Sequence, residues 1–154
     1  MDIPQNLQHR PFYVLPYEDL DGYYAGNTDA KFISMGLSQW DNSEVSVKVL
    51  RYDDKNKKWS RQSEELPIHR AIDMALWASM VLFKGEKKAL VVEKYMFHGQ
   101  TRALRISPED RSTYEERRYD DFVDHYFNKD DGIIKERLRA LLDLLNDLKA
   151  KGHL

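Results

Sequence analysis

The least polar stretch of the chain runs from Leu66 to Phe83. Pro67 suits the first position of a helix, where its missing N–H costs nothing, and the glutamates of 64–65 lie where carboxylates favour the positive end of the helix dipole. No charged residue follows Met74 until Lys84, so the predicted helix is apolar around its circumference. The pattern therefore predicts a central helix that is buried in the core.

Alternating positions predict strands on either side of this helix. Val45, Val47 and Val49 alternate with a second set of residues; they are Ser46, Lys48 and Leu50. A period of two residues is typical of a half-buried strand, here predicted over 44–52. A turn at 53–58 and a return strand at 59–62 complete a first hairpin, and 89–97 with 101–106 form a second around 98–100. A shorter strand at 12–15 stops at Pro16.

Helical spacing recurs in three other segments. Thr28 or Asp29 can cap a helix in which Ile33, Leu37 and Trp40 recur at i, i+4 and i+7. Gly36 either weakens this helix or lets another segment approach closely. A second helix starts at 107–110 and buries a set of apolar residues; they are Tyr119, Phe122, Val123, Tyr126 and Phe127.

The last helix carries a regular apolar stripe. Its members recur at alternating steps of four and three; they are Ile134, Leu138, Leu141, Leu145 and Leu148, widened by Leu142 and Leu144. Residues 109–131 hold nine acidic and four basic side chains, a net charge of −5, whereas 135–151 hold five basic and three acidic, a net of +2. This favours an antiparallel helical pair, with a homodimer through the C-terminal helix as the alternative.

The predicted fold is therefore α+β. An antiparallel sheet built from two hairpins surrounds a buried central helix, and a helical pair follows at the C-terminus. The 154 residues predict a single domain over 1–154, with 1–10 as an N-terminal arm. Hydrophobic residues make up 42% and charged residues 32%, the balance of a folded soluble protein.

The net charge and the absence of cysteine limit the cellular compartments and the classes of partner that the sequence predicts. The net charge of −2 makes nucleic acid an unlikely partner, and the basic hairpin tip at 55–61 is better explained as protection of a sheet edge. The chain has no cysteine and no signal-peptide pattern at its start, which predicts a cytoplasmic protein. The longest uncharged apolar run is too short to span a bilayer, so no membrane association is expected.

A polar cluster at the start of the central helix is the main candidate site. Its members are Gln62, Glu65, His69, Arg70 and Asp73. His69 could donate to Asp73 four residues later and act as a general base, with Arg70 holding an anion. The competing interpretation, which we favour, is a structural network in which Arg70 and Asp73 form an ion pair.

A second candidate is an anion-binding loop formed by Asn27, Thr28 and Lys31 before the helix predicted there. Asp29 would repel an anion, so capping alone is the simpler explanation. Metal ligands could be sought at Asp121 and His125, but no paired histidine motif completes a set, and no metal site or cofactor is predicted. The common catalytic signatures are likewise absent from the sequence.

Two stretches carry a family resemblance. They are Gly26-Asn27-Thr28-Asp29-Ala30-Lys31 continuing to Leu37-Ser38-Gln39-Trp40, and Trp59 through Arg70. These segments resemble those of a small bacterial family of uncharacterised proteins. The resemblance implies a soluble bacterial source and brings no activity or site residues with it.

The sequence favours a non-enzymatic binding or regulatory protein. Its partner surface would include the exposed tyrosines between Tyr13 and Tyr24, and the partner would be a protein or a small molecule of unknown identity. The alternative is a small-molecule enzyme or ligand-binding protein that uses the polar cluster. An enzyme should show that cluster converging on an open pocket.

Overall fold

A computed structural model describes residues 4, 8–41, 43–60, 64–84, 90–97, 99–106, 112–124 and 132–154. By internal contacts the chain divides into two units, Met1–Trp77 and Ala78–Leu154. The prediction of a single domain stays a prediction. No helix in the described part of the chain combines the length and the apolar composition that crossing a bilayer requires.

The first unit is built on an antiparallel sheet. Its strands are β1 (Arg10–Pro16), β2 (Ala30–Leu37), β3 (Val45–Asp53), β4 (Lys58–Trp59) and β5 (Glu64–Pro67). β3 lies in the middle, with β2 along one edge and both β4 and β5 along the other, while β1 pairs with the far edge of β2. The predicted first hairpin and the short N-terminal strand are confirmed.

The face of β3 that is buried is the polar one. Ser46, Lys48 and Leu50 are 0%, 8% and 3% exposed, whereas Val45 is 40% exposed and the other two valines are half-buried. The period of two therefore predicts the strand correctly, but the buried side of the strand carries a serine and a lysine. A buried polar face of this kind requires partners for each group.

The helix predicted from Thr28 is wrong, because residues 30–37 form β2. Tight pairing with β3 overrides the helical spacing of Ile33, Leu37 and Trp40, since β2 matches β3 in register from Ala30 to Leu37 apart from one irregularity near Lys31. Tertiary pairing of this kind often overrides local propensity. The preceding loop contains two short 3-10 turns, Glu18–Leu20 and Gly22–Tyr24.

The central helix, α1, is confirmed at Ile68–Lys84. It begins one residue later than Pro67, because residues 64–67 form β5, so Glu64 and Glu65 are strand residues rather than the acidic first turn of the helix. Met80 is buried at 6% exposure, but Ile72 and Met74 are 62% and 58% exposed, so burial of the whole circumference is wrong.

After the end of α1, the described residues of the second unit form a two-stranded sheet and two helices. The strands β6 (Leu90–Val92) and β7 (Leu104–Ile106) pair antiparallel and confirm the second hairpin with shorter strands. The helix α2 spans Thr113–Val123, and Ser112 and Glu115 form a complete capping box at its start. The start predicted at 107–110, Tyr126 and Phe127 lie outside the described residues.

The last helix, α3, spans Ile133–Ala150. It ends because Gly152 adopts a positive φ of 74°, which lets the N–H groups of Gly152 and His153 reach the carbonyls of Lys149 and Leu148. This is a Schellman motif. The α+β fold with two C-terminal helices is therefore confirmed, although leucines of the apolar stripe remain exposed.

Another segment of the chain approaches Gly36 closely. A Cβ at this position would lie 2.0 Å from the backbone oxygen of Arg10 and 2.7 Å from the Cα of Pro11. These two residues pair with β2 at Leu37 and Gly36, so the start of β1 lies directly against the glycine. The close approach predicted for Gly36 is confirmed, and it fixes the N-terminal segment on the sheet.

We expect Gly36→Ala to lower the free energy of unfolding by about 1–3 kcal/mol, because backbone atoms of Arg10 and Pro11 must move to admit the methyl group. Urea unfolding monitored by circular dichroism measures the change. Met35→Ala, at the neighbouring and partly exposed position, serves as the control and should cost clearly less. Equal effects of the two substitutions would contradict the close approach.

Candidate functional site

A cluster of buried polar side chains covers one face of the first unit's sheet. His9 is 0% exposed and lies against Ser34 of β2 and Ser46 of β3. Its Nε2 is 2.9 Å from the hydroxyl oxygen of Ser34, and its Nδ1 is 3.1 Å from that of Ser46. We call His9, Ser34, Ser46, Lys48 and Glu65 the buried polar network.

Glu65 is the hub of the buried polar network. Its Oε1 accepts a hydrogen bond of 2.7 Å from the Ser46 hydroxyl and one of 2.8 Å from the backbone N–H of Gln39. Its Oε2 accepts from the Lys48 ammonium at 3.3 Å, and Oε1 also lies 3.4 Å from Nδ1 of His9. One carboxylate thus connects β3, β5, the loop after β2 and the N-terminal segment.

The hydrogen bonds define the tautomer of His9. The single hydroxyl hydrogen of Ser46 goes to the charged Glu65, so Nδ1 of a neutral His9 carries hydrogen and donates to Ser46. Nε2 lies 2.9 Å from the Ser34 hydroxyl oxygen, and the backbone carbonyl of Lys48, 3.3 Å away, accepts a hydrogen bond from the same hydroxyl. The donors from His9 to Glu65 therefore follow one direction, through the Ser46 hydroxyl.

Burial and charge act on the two titratable groups in opposite ways. Burial is the largest effect on His9 and lowers its pKa, and the negative charge of Glu65 restores only part of that loss. Burial acts to raise the pKa of Glu65, but the Gln39 N–H, the Ser46 hydroxyl and the charges of His9 and Lys48 outweigh it. The pKa of Glu65 therefore lies below its ordinary value.

The chemistry available to the buried polar network is limited by access. A serine, a histidine and a carboxylate in sequence are the groups of a nucleophilic relay, with His9 placed to take a proton from Ser34. Ser34 is only 1% exposed and His9 0%, so a substrate has no path to the nucleophile in this conformation. The arrangement supports a structural role, in which it holds the N-terminal segment on the sheet.

The structure separates the members of the predicted polar cluster. Glu65 is 4% exposed and forms its contacts within the sheet, whereas the side chain of His69 is 63% exposed and lies 3.9 Å from Glu44. Arg70 is exposed and Asp73 half-buried, and within the described part of the chain no hydrogen bond or ion pair joins either residue to Glu65. Gln62 lies outside the described residues. The described members are therefore divided between a buried setting and an exposed one.

The predicted anion-binding loop does line a hollow. Asn27, Thr28 and Lys31 border a space of about 520 Å³, but the segment leads into a strand, so the N–H groups of a helix start are not available there. The Lys31 ammonium is 2.5 Å from Glu18 and 3.1 Å from Asp54. The hydrogen bond to Glu18 is the largest effect on Lys31 and raises its pKa.

The carboxylates around Lys31 disfavour the binding of an anion in this hollow. Carboxylates of Glu18, Asp29, Asp53 and Asp54 line the hollow, and a neighbouring one of about 560 Å³ shares the Glu18, Lys31 and Asp54 side chains. Lys31 joins the loop after β1 to the β3–β4 turn. Across the described residues, no group of three or more histidine, aspartate or glutamate side chains is arranged to hold a metal ion.

The opposite face of the sheet is apolar and partly open to solvent. Register places Tyr13, Met35, Val47 and Leu66 in one row across four strands. Parallel to it lie the row of Leu15, Ile33 and Val49, which ends at Glu64 of β5, and the pair of Leu37 and Val45, which Arg10 of β1 borders. We call the nine apolar residues the apolar sheet face. Tyr13 is 71%, Leu15 49%, Val45 40% and Met35 37% exposed.

Sequence reasoning missed His9, Ser34 and Ser46. None of them lies in a motif, because the network joins residues far apart in the chain, and such pairing has no local pattern. A weak signal existed in β3, where Ser46 and Lys48 share one face with Leu50. A lysine on the same strand face as a buried leucine indicates a buried carboxylate nearby.

A sequence profile of a family of unknown function, DUF6530, matches residues 1–150. The chain belongs to the DUF6530 family. This confirms the resemblance to a family of uncharacterised proteins, while a bacterial source stays a prediction. The comparisons with curated proteins and with solved structures gave no match.

In the DUF6530 protein, we expect Glu65→Gln to lower the free energy of unfolding by about 2–4 kcal/mol, because Lys48 would keep a buried charge without its carboxylate. Glu64→Gln is the matched control. Glu64 is adjacent, exposed and paired with Arg51 at the surface, so its loss should cost less than about 1 kcal/mol. Urea titrations compare the two variants, and similar losses would contradict the role of Glu65.

The lowered pKa of His9 predicts a pH dependence. The unfolded chain binds a proton at His9 near pH 6.5, and the folded DUF6530 protein does so only at lower pH. The contribution of His9 to the free energy of unfolding is therefore fully present above pH 6.5, and it is lost as the pH falls toward the pKa of His9 in the folded protein. In thermal unfolding, the His9→Gln variant should lack this loss of stability at low pH. The His69→Gln variant should show it as the wild type does. A parallel decline in His9→Gln and the wild type would contradict the assignment.

Proposed function

We propose that this DUF6530 protein is a non-enzymatic binding protein that binds a protein partner on the apolar sheet face. The observation that supports this is the distribution of polarity across the sheet. The buried side carries His9, Lys48 and Glu65, while the side with solvent access carries nine apolar residues. A contiguous apolar patch on a protein surface marks an interaction site.

The shape of the surface favours a protein over a small molecule. Rows of side chains across paired strands form a broad surface, whereas small-molecule sites are concave. The two hollows beside Lys31 are lined by charged groups that pair with one another. Their polarity does not match the apolar lining that ligand pockets commonly have.

Exposed aromatic residues near the sheet extend the proposed surface. Tyr23 and Tyr24 are 52% and 67% exposed in the loop between β1 and β2, and Tyr13 belongs to the apolar sheet face itself. Tyrosine is enriched at protein interfaces because it joins a large apolar area to one polar group. These are the tyrosines that the sequence indicated. We also propose cytoplasmic residence, which the absence of cysteine supports.

The alternative function, an enzyme that uses the polar cluster, receives less support. Its described residues divide between the buried Glu65 and the exposed His69 and Arg70. An acid–base site needs its groups within hydrogen-bond reach of a common reacting atom. We therefore give preference to the binding role.

The test is a double substitution that places charges on the apolar sheet face at two partly exposed positions. Met35→Lys with Val45→Lys places two ammonium groups at positions that are 37% and 40% exposed. Immobilised wild-type protein should enrich a specific protein from an extract of the source organism, and the double variant should lose it, because a buried unpaired charge strongly disfavours association. Quantitative mass spectrometry measures the enrichment.

A matched control adds the same charges elsewhere. Val91→Lys with Tyr95→Lys changes two exposed apolar residues of the second unit, at 42% and 72% exposure. This variant should retain the partner, and circular dichroism should show all three proteins folded. Capture of the same proteins by the wild type and by Met35→Lys with Val45→Lys would overturn the proposal.

A further inference from the structure

The α3 helix exposes a wide leucine surface. Leu141 and Leu145 are each 41% exposed, and Leu142 and Leu144 are 57% and 56% exposed. No side chain of this helix is fully buried. Four neighbouring leucines in water on one helix are unfavourable, because helical stability in proteins comes largely from covering such a face.

The other helix of the second unit leaves this surface open. α2 was expected to pack against α3 through its acidic charge, yet the leucines of α3 keep the exposures given above. α2 also exposes its own aromatic residues, with Tyr114 at 68% and Tyr119 at 40%. Within the described part of the chain, these leucines are therefore left partly uncovered.

The spacing of the stripe fits a helix identical to itself. In heptad terms Leu138 and Leu145 occupy a positions, and Ile134, Leu141 and Leu148 occupy d positions. Every core position over two heptads is apolar, so two copies can interlock side by side. Leu142 and Leu144 lie at the flanking e and g positions and widen this short seam.

The charges beside the stripe decide the orientation. The remaining e and g positions of the helix and its cap are all basic; they are Lys135, Arg137, Lys149 and Lys151. An antiparallel pair that aligns the leucines would place Lys135 opposite Lys149 at both ends, a like-charge contact. A parallel pair instead places Arg137 opposite Leu142 of the second copy, and Leu144 opposite Lys149, whose methylene groups can cover the leucine.

We infer that α3 joins two copies of this chain as a parallel coiled coil. The inference rests on the exposed leucines, the heptad spacing and the placement of like charges, and it is independent of the apolar sheet face. The two surfaces lie on different units, so loss of one function leaves the other measurable.

The first experiment measures mass in solution across a wide range of concentration by sedimentation and light scattering. The wild type should be a dimer that dissociates on dilution. Leu141→Lys with Leu145→Lys should be a monomer throughout, because it places charges in the seam. Ala140→Lys with Asn146→Lys adds the same charge to the outer face of the same helix and should remain a dimer.

The second experiment tests the orientation. The chain contains no cysteine, so Leu148→Cys introduces a single thiol at a d position. In the parallel pair the two thiols face each other and should form a disulfide under mild oxidation. In the antiparallel pair Leu148 faces Leu138 of the second copy, and the thiols lie about 15 Å apart along the axis.

Three results would overturn the inference. They are a wild type that is monomeric at every concentration, a dimer that survives Leu141→Lys with Leu145→Lys, and a dimer of Leu148→Cys that does not cross-link. Circular dichroism checks that each variant is folded and helical. If the helix is intact in a monomeric wild type, the leucine surface has a different occupant.

Discussion

The first unit depends on keeping one carboxylate charged away from water. Glu65 holds its charge because a backbone N–H, a serine hydroxyl and the Lys48 ammonium all point at it. These groups come from the loop after β2 and from β3, while Glu65 lies in β5, so satisfying the carboxylate fixes the relative positions of these three segments. The network adds specificity rather than a large net gain in energy, because the desolvation of its charges offsets their attraction.

The apolar side of the sheet follows from this constraint. Because Ser46 and Lys48 of β3 contact His9 and Glu65 on one face of the sheet, the alternating valines must lie on the opposite face. The sequence predicted the strand, because period two is local information. It did not predict which face is covered, because that depends on a histidine at position 9 and a glutamate at position 65.

The same distinction between local and distant information explains the other results. α1, α3 and both hairpins carry strong periodic patterns and were predicted. β2 was read as a helix because Ile33, Leu37 and Trp40 fit that spacing, and only its pairing with two neighbours makes it a strand. Among the candidate site residues, Glu65 belongs to the buried polar network, but its partners are distant in sequence, and His69 and Arg70 are exposed.

The position of His9 has a consequence for how the first unit folds. Its contacts to Ser34, Ser46 and Glu65 link the start of the chain to segments made much later. On the ribosome, the earliest residues must wait until Glu65 has emerged before their buried partner exists. Contacts of long sequence separation slow folding. His9 and Glu65 are therefore expected to meet late, after the hairpin of β2 and β3 has formed.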